Sequence, residues 1–176
     1  KCRIAAPAPA VLQVIGIDPG VTTGFALWDA IAMNFVRIES MSIIQAMRAV
    51  ESVRTAAPEE DQLFVIFEDA RKRKRFDKAD KEEEGYKKGA RREGVGSVKR
   101  DSSIWQEFLL DIGVPFKART PMATKWKAEH FRRLTKWEGR TNEHSRDAAM
   151  IVNGLNVPMV RSMLTTYKQT LTAGKS

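Results

Sequence analysis

Apolar and polar positions along this chain follow two periods, and the shift from one to the other separates strands from helices. Residues 12–18 (LQVIGID) form a short apolar run closed by an acid, the pattern of a buried strand, and Pro19-Gly20 then marks a turn. Residues 24–29 (GFALWD) and 33–39 (MNFVRIE) predict two further strands of a meander. Ile43, Ile44, Met47 and Val50 recur at helical spacing, which predicts a helix over 41–55 that Pro58 stops. Residues 62–67 (QLFVIF), rich in β-branched and aromatic side chains, give the strongest strand signal and lead into Glu68 and Asp69.

The pattern then breaks. Over 70–100 charge dominates, apolar residues nearly vanish and four glycines fall between Gly85 and Gly96, so a loop or protruding element is expected. Periodicity returns with Ile104, Phe108, Leu109 and Ile112, a helix over 101–112 that Gly113 ends. A short strand is expected at 114–118. Pro121 is placed to open a helix running to about Trp137. Asn142 is a candidate cap for a core helix with Ala148, Ile151 and Val152 inward, and a terminal helix is predicted over 158–170. The order β-β-β-α-β-α-β-α-α predicts an α/β fold, a five-stranded mixed sheet flanked by helices on both faces.

Composition narrows the class. The 176 residues suffice for one domain with a real core, and 43% of them are hydrophobic. A single cysteine, Cys2, cannot build a disulfide framework or a zinc site, which points to a reducing, intracellular setting. No apolar run approaches the roughly 20 residues needed to cross a bilayer. Residues 1–11 are expected to be a flexible arm rather than a signal peptide, and 156–176 a helical extension of a single domain over 12–155.

The net charge of +8 is unevenly spread. Residues 71–100 hold 13 Lys/Arg against 6 Asp/Glu, and residues 115–140 hold 8 against 2. The remainder of the chain is therefore mildly acidic. Two dense cationic blocks suit a polyanion, because each neutralised phosphate releases condensed counterions.

Outside these blocks lie acids in suggestive places. Asp18 ends the first strand, Glu68 ends the fourth, and Asp147 lies early in a late helix with His144 three residues before it, on the same helical face. If strands one and four are neighbours, Asp18 and Glu68 stand side by side. Hard oxygen ligands grouped in this way suit Mg²⁺ or Mn²⁺, and two such ions can drive phosphodiester hydrolysis. Singly, each has an ordinary structural role open to it: Asp18 as a turn residue, Glu68 as a strand end, Asp147 as a first-turn acid, His144 as a structural histidine. The pattern Asp18-x-Gly20-x-Thr22-x-Gly24 also occurs in actin-like ATPases, but these need two large lobes that 176 residues cannot supply.

The segment IGIDPGVTTGFALWD, the strand ending in Glu68 and the segment HSRDAA with His144 and Asp147 together resemble RuvC-type Holliday-junction resolvases, in order and spacing, across about residues 12–155. The resemblance implies an RNase H-like fold, a homodimer, and symmetric nicking of four-way DNA junctions. By position it implies that Asp18, Glu68, His144 and Asp147 bind two Mg²⁺ ions, with Mn²⁺ able to substitute and Asp18 bridging them. It places Lys125 near the scissile phosphate and makes the helix over 101–112 the dimer helix.

Departures from the family sharpen the expectation. Bacterial members carry a stacking aromatic about three positions after the second acid. Here that position is Arg71, opening the run Arg71, Lys72, Arg73, Lys74, Arg75, with Phe76 next as a candidate replacement. Those six residues, together with Lys99, Arg100, Arg119, Lys125 and Lys127, are the expected DNA contacts. Phosphate attraction carries no sequence information, so selectivity should extend to forks and flaps, a pattern closer to a viral or organellar branch. The competing readings are an RNase H-like nuclease on RNA or RNA–DNA hybrids, and a branched-DNA-binding protein without chemistry. The roles of Asp69 and His130 stay open.

Overall fold

The computed structural model describes residues 11–57, 59, 61–72 and 86–173. Strands β1 (Gln13–Asp18), β2 (Thr22–Asp29) and β3 (Asn34–Ser42) form the expected meander, and α1 (Ile43–Ala56) follows. Next come β4 (Leu63–Glu68), a single 3-10 turn (Ala70–Lys72), α2 (Tyr86–Asp111) and β5 (Phe116–Arg119). Helices α3 (Ala128–Thr135), α4 (Glu143–Val152) and α5 (Val157–Ala173) complete the order.

The five strands lie in the order β3-β2-β1-β4-β5. The β1/β2 and β2/β3 pairs are antiparallel, and β1/β4 and β4/β5 are parallel. This is the mixed sheet and topology of the RNase H-like fold, with β4 buried along its whole length as a central parallel strand should be.

Alternation along the strands sends side chains to two separate cores. Val14, Ala26, Trp28, Phe64 and Ile66 pack beneath Ala148, Ala149, Ile151 and Val152 of α4 and Val160 and Leu164 of α5. Ile15, Ile17, Phe25, Leu27, Val65 and Phe67 face Ala46, Ala49 and Val50 of α1 and Trp105 and Leu109 of α2. The C-terminal segment expected as an extension thus adds α5 to the first of these cores. Among the described residues no helix is long and apolar enough to cross a membrane.

Two expectations need correction. Residues 86–100, expected within a basic loop, belong to α2. The expectation rested on the missing apolar period, but a helix whose far half is anchored by Trp105 and Leu109 can propagate backwards through good helix formers such as Lys, Arg and Ala without one. The helix expected from Pro121 begins only at Ala128. In the intervening segment the Met122 N–H is committed to the Glu68 carboxylate and the Trp126 carbonyl to the Arg146 guanidinium, so these groups serve tertiary bonds.

Candidate active site

Strand parity decides which acids can meet. Asp18 shares its face with Val14 and Gly16, and Glu68 with Phe64 and Ile66, so both carboxylates belong to the α4 side. The parallel register runs to Ile17–Phe67, which brings Asp18 and Glu68 together at the ends of adjacent strands.

Helix α4 lies almost on the backbone of that face. A Cβ built on Gly24 would come within 2.0 Å of the His144 carbonyl oxygen, and one on Gly16 within 2.2 Å of the Ala148 oxygen. Only glycine permits this approach. The start of α4 is fixed by a capping box in which the Asn142 side chain accepts from the Ser145 N–H at 3.0 Å. Ser40 of β3 donates to the same Asn142 oxygen at 2.6 Å.

The helix so placed delivers His144 and Asp147 to the strand ends. His144 Nδ1 lies 2.9 Å from Asp18 Oδ2. An ionised carboxylate accepts, so Nδ1 carries the proton in that bond. Lys125 donates to Asp147 Oδ2 and forms a 2.9 Å ion pair with Glu143. Glu68 accepts from the Met122 N–H at 2.9 Å. Asp147 Oδ1 is buried and has no hydrogen-bond partner among the described residues.

Electrostatics ties these groups together. Burial raises the Asp18 pKa above its ordinary value, His144 and Lys125 pull it down, and the Asp147 charge pushes it up. Burial likewise raises Glu68 against the Met122 bond and Arg119, helped by the charges of Asp18 and Asp147. Burial depresses the Lys125 pKa, but its bonds to Asp147 and Glu143 outweigh this and raise it overall. The three carboxylates therefore sit in one another's field. Among the described residues no three His, Cys, Asp or Glu side chains are drawn into a shell around a single point. His144 engages Asp18, and Lys125 engages Asp147, instead.

The remaining expected residues are placed as follows. Arg71 does not project freely. Its guanidinium grips Asp69 through Nε at 2.8 Å and Nη2 at 2.9 Å, and it donates further to Ser103 and Gln106 of α2. Asp69 itself falls on the α2 side of the sheet and is 3% exposed; despite burial, its bonds to Arg71 lower its pKa. Lys72 donates to the Ala118 carbonyl at 2.6 Å. Arg71 and Asp69 thus clamp the turn after β4 to α2. Arg71→Ala would leave a buried carboxylate without its partner and should destabilise the fold by about 1–3 kcal/mol. A thermal melt showing no loss would reject the clamp.

Lys99 and Arg100 are exposed on α2, Lys127 is exposed at the start of α3, and Arg119 on β5 is half-buried near Glu68. Arg73, Lys74, Arg75 and Phe76 lie outside the described residues. His130 packs edge-on against Trp126, with ring centroids 5.3 Å apart. Three participants escaped the sequence reading. Glu143 beside His144 looked like any first-turn acid, Gly16 like an ordinary strand glycine, and Arg146 like a surface cation. Arg146 donates to the Trp126 carbonyl at 2.7 Å and the Thr141 carbonyl at 3.2 Å, holding the Lys125 segment against α4.

No family model and no curated protein matches the chain. Among solved structures it is similar to a Fowlpox virus resolvase in complex with substrate Holliday-junction DNA. That similarity has a TM-score of 0.35 and 11% identity, and covers 91% of this chain and 99% of the other.

Proposed function

We propose that this protein is a divalent-metal-dependent endonuclease that resolves four-way DNA junctions and cuts related branches. The observation that carries the reading is the meeting of Asp18, Glu68 and Asp147, from three distant segments, in one mutual field on one face, with His144 on Asp18. A shared negative field among largely buried carboxylates costs folding energy, and such a cost is usually kept for function.

The donors fit a hard divalent cation. They comprise three carboxylates and an imidazole, and one buried carboxylate oxygen, Asp147 Oδ1, has no donor among the described residues. Asp18, Glu68, His144 and Asp147 would hold Mg²⁺ or Mn²⁺, two ions in all. When bound, such ions lower the pKa of water and stabilise charge on a leaving oxygen. The chain's own groups do the rest. Met122 N–H fixes one oxygen of Glu68, and Nδ1–H of His144 fixes Asp18. Lys125, whose side chain is 58% exposed, can leave Asp147 for a phosphate oxygen while Glu143 retains it near the site. The exposed face of α2 is read as part of a homodimer contact, with Ile104 and Leu110 on its outer side. An intracellular setting at DNA, in a viral or organellar branch of the resolvase family, completes the reading.

The test is cleavage of a labelled four-way junction with and without Mg²⁺. Cation-dependent, paired nicks support the proposal. Binding without cutting would leave a junction-binding protein, and faster cutting of an RNA–DNA hybrid would reassign the substrate. Lys125→Ala should lower the cleavage rate of bound junction by about 10²–10³-fold, the usual effect of removing one transition-state cation or donor. Lys125→Arg should recover part of it. Unchanged single-turnover rates in Lys125→Ala would exclude Lys125 from the chemistry.

A further inference from the structure

Among the described residues some lysines and arginines are held by the fold and others are not. Arg37, Arg71, Lys125 and Arg146 are engaged by carboxylates or carbonyls of the fold. Arg132, Arg133, Lys136 and Arg140 are all exposed, and none enters a side-chain hydrogen bond or ion pair among the described residues. These four fall within nine residues, at the C-terminal end of α3 and in the segment leading to α4. Only Glu138 interrupts them, and Glu129 lies at the other end of the helix.

Their place in the fold gives the cluster a direction. The helix is seated by Phe131, 1% exposed, on the same core that carries α4. The segment just before it is pinned to the candidate site twice, by Met122 on Glu68 and by Lys125 on Asp147. The segment just after it leads directly into Asn142 and α4. Both ends of the cationic element are therefore tied to the acids, and these four charges lie on the piece between.

We infer that the C-terminal half of α3 and the following turn form a track for the phosphate backbone of a duplex DNA arm running away from the cleaved phosphate. The inference rests on the nuclease reading above for its choice of DNA as the polyanion. Arg132 and Arg133 lie in the last turn of α3, Lys136 caps it and Arg140 lies in the segment beyond, so the four charges extend from the helix end into the turn. Complementing the helix dipole would need fewer cations, because the dipole acts only within the last turn, and it leaves Arg140 unexplained.

The experiment measures binding of a fluorescein-labelled duplex of roughly 20 base pairs by anisotropy in EDTA across a salt series. Arg132→Ala, Arg133→Ala, Lys136→Ala and Arg140→Ala together should reduce the slope of log affinity against log salt by about 3–4, since each phosphate contact contributes about 0.9. The charge-keeping set Arg132→Lys, Arg133→Lys and Arg140→Lys should retain the wild-type slope. Should the fourfold variant fail to fold, Arg133→Ala and Arg140→Ala separately should each remove about 0.9. Slopes unchanged by these substitutions, or equal losses in the lysine set, overturn the track. Junction cleavage by the wild-type protein in Mg²⁺, measured alongside, separates the two claims. A chain that loses slope as stated but never cuts keeps the track and loses the nuclease. One that cuts with its slope untouched by the substitutions does the reverse.

Discussion

Asp18→Asn should abolish junction cleavage, by about 10³-fold or more, while leaving junction affinity within a few-fold and the fold at least as stable as the wild type. The first part follows from position. Asp18 stands between Glu68, beside it across the β1/β4 ladder, and His144, bonded to it from α4. Asparagine keeps the shape and an oxygen for Nδ1–H but removes the charge on which cation binding depends. The second part follows from linkage. Burial holds the folded-state pKa of Asp18 above its unfolded value. Between those two values the folded chain binds more protons than the unfolded one, so stability is present at low pH and is lost as pH rises through the folded pKa. At neutral pH, without divalent cations, the ionised carboxylate is therefore a cost that asparagine removes. Melts across a pH series should show wild-type stability falling relative to Asp18→Asn as pH rises from the ordinary aspartate pKa through the raised folded value, and then levelling off. Full cleavage by the variant would remove Asp18 from the site. A marked loss of stability at neutral pH would instead make it a structural turn acid.

Charges gathered at a cost to folding are hard to read from sequence, yet here much was legible. The strand ending in Glu68 announces itself because a central parallel strand must be apolar on both faces. Once β1 and β4 are adjacent, parity alone puts Asp18 and Glu68 on one side. Asn142 and the spacing of Ala148, Ile151 and Val152 fix where α4 starts and which face it buries, so His144 and Asp147 follow. What was hidden depends on contacts that leave no periodic trace. Arg71 read as the first of five cations for DNA, but a carboxylate two residues earlier and two polar side chains of α2 hold it. Residues 121–127 read as a helix start because nothing in sequence shows that Met122 and Trp126 commit backbone groups to Glu68 and Arg146.

The same limit applies to Gly24, which sequence marks only as part of a turn pattern. Its register partner is Asp18, and its missing side chain is the space that the first turn of α4 occupies. Gly24→Ala would place a carbon 2.0 Å from the His144 carbonyl oxygen, and neither atom belongs to a flexible side chain. Helix and strand must separate by about an ångström or more, because interiors packed to crystal density have no slack to absorb the contact. Overpacking of this kind costs about 1–3 kcal/mol, or a fall in melting temperature of roughly 2–12 °C for a chain of this size. The larger effect is on chemistry. His144 is the residue pushed, and its 2.9 Å bond to Asp18 cannot survive such a shift intact. Misplacement by about 1 Å costs on the order of 10²-fold in rate, so cleavage should fall that far even at temperatures where the variant is fully folded. Gly16→Ala meets Ala148, one turn further along, and should lower stability similarly with a smaller loss of cleavage. Gly96→Ala, with nothing within 4 Å of its built Cβ, should be neutral or stabilising by about 0.5–1 kcal/mol. If Gly24→Ala melts and cuts like the wild type, α4 does not rest on β2, and the arrangement that brings His144 to Asp18 is wrong.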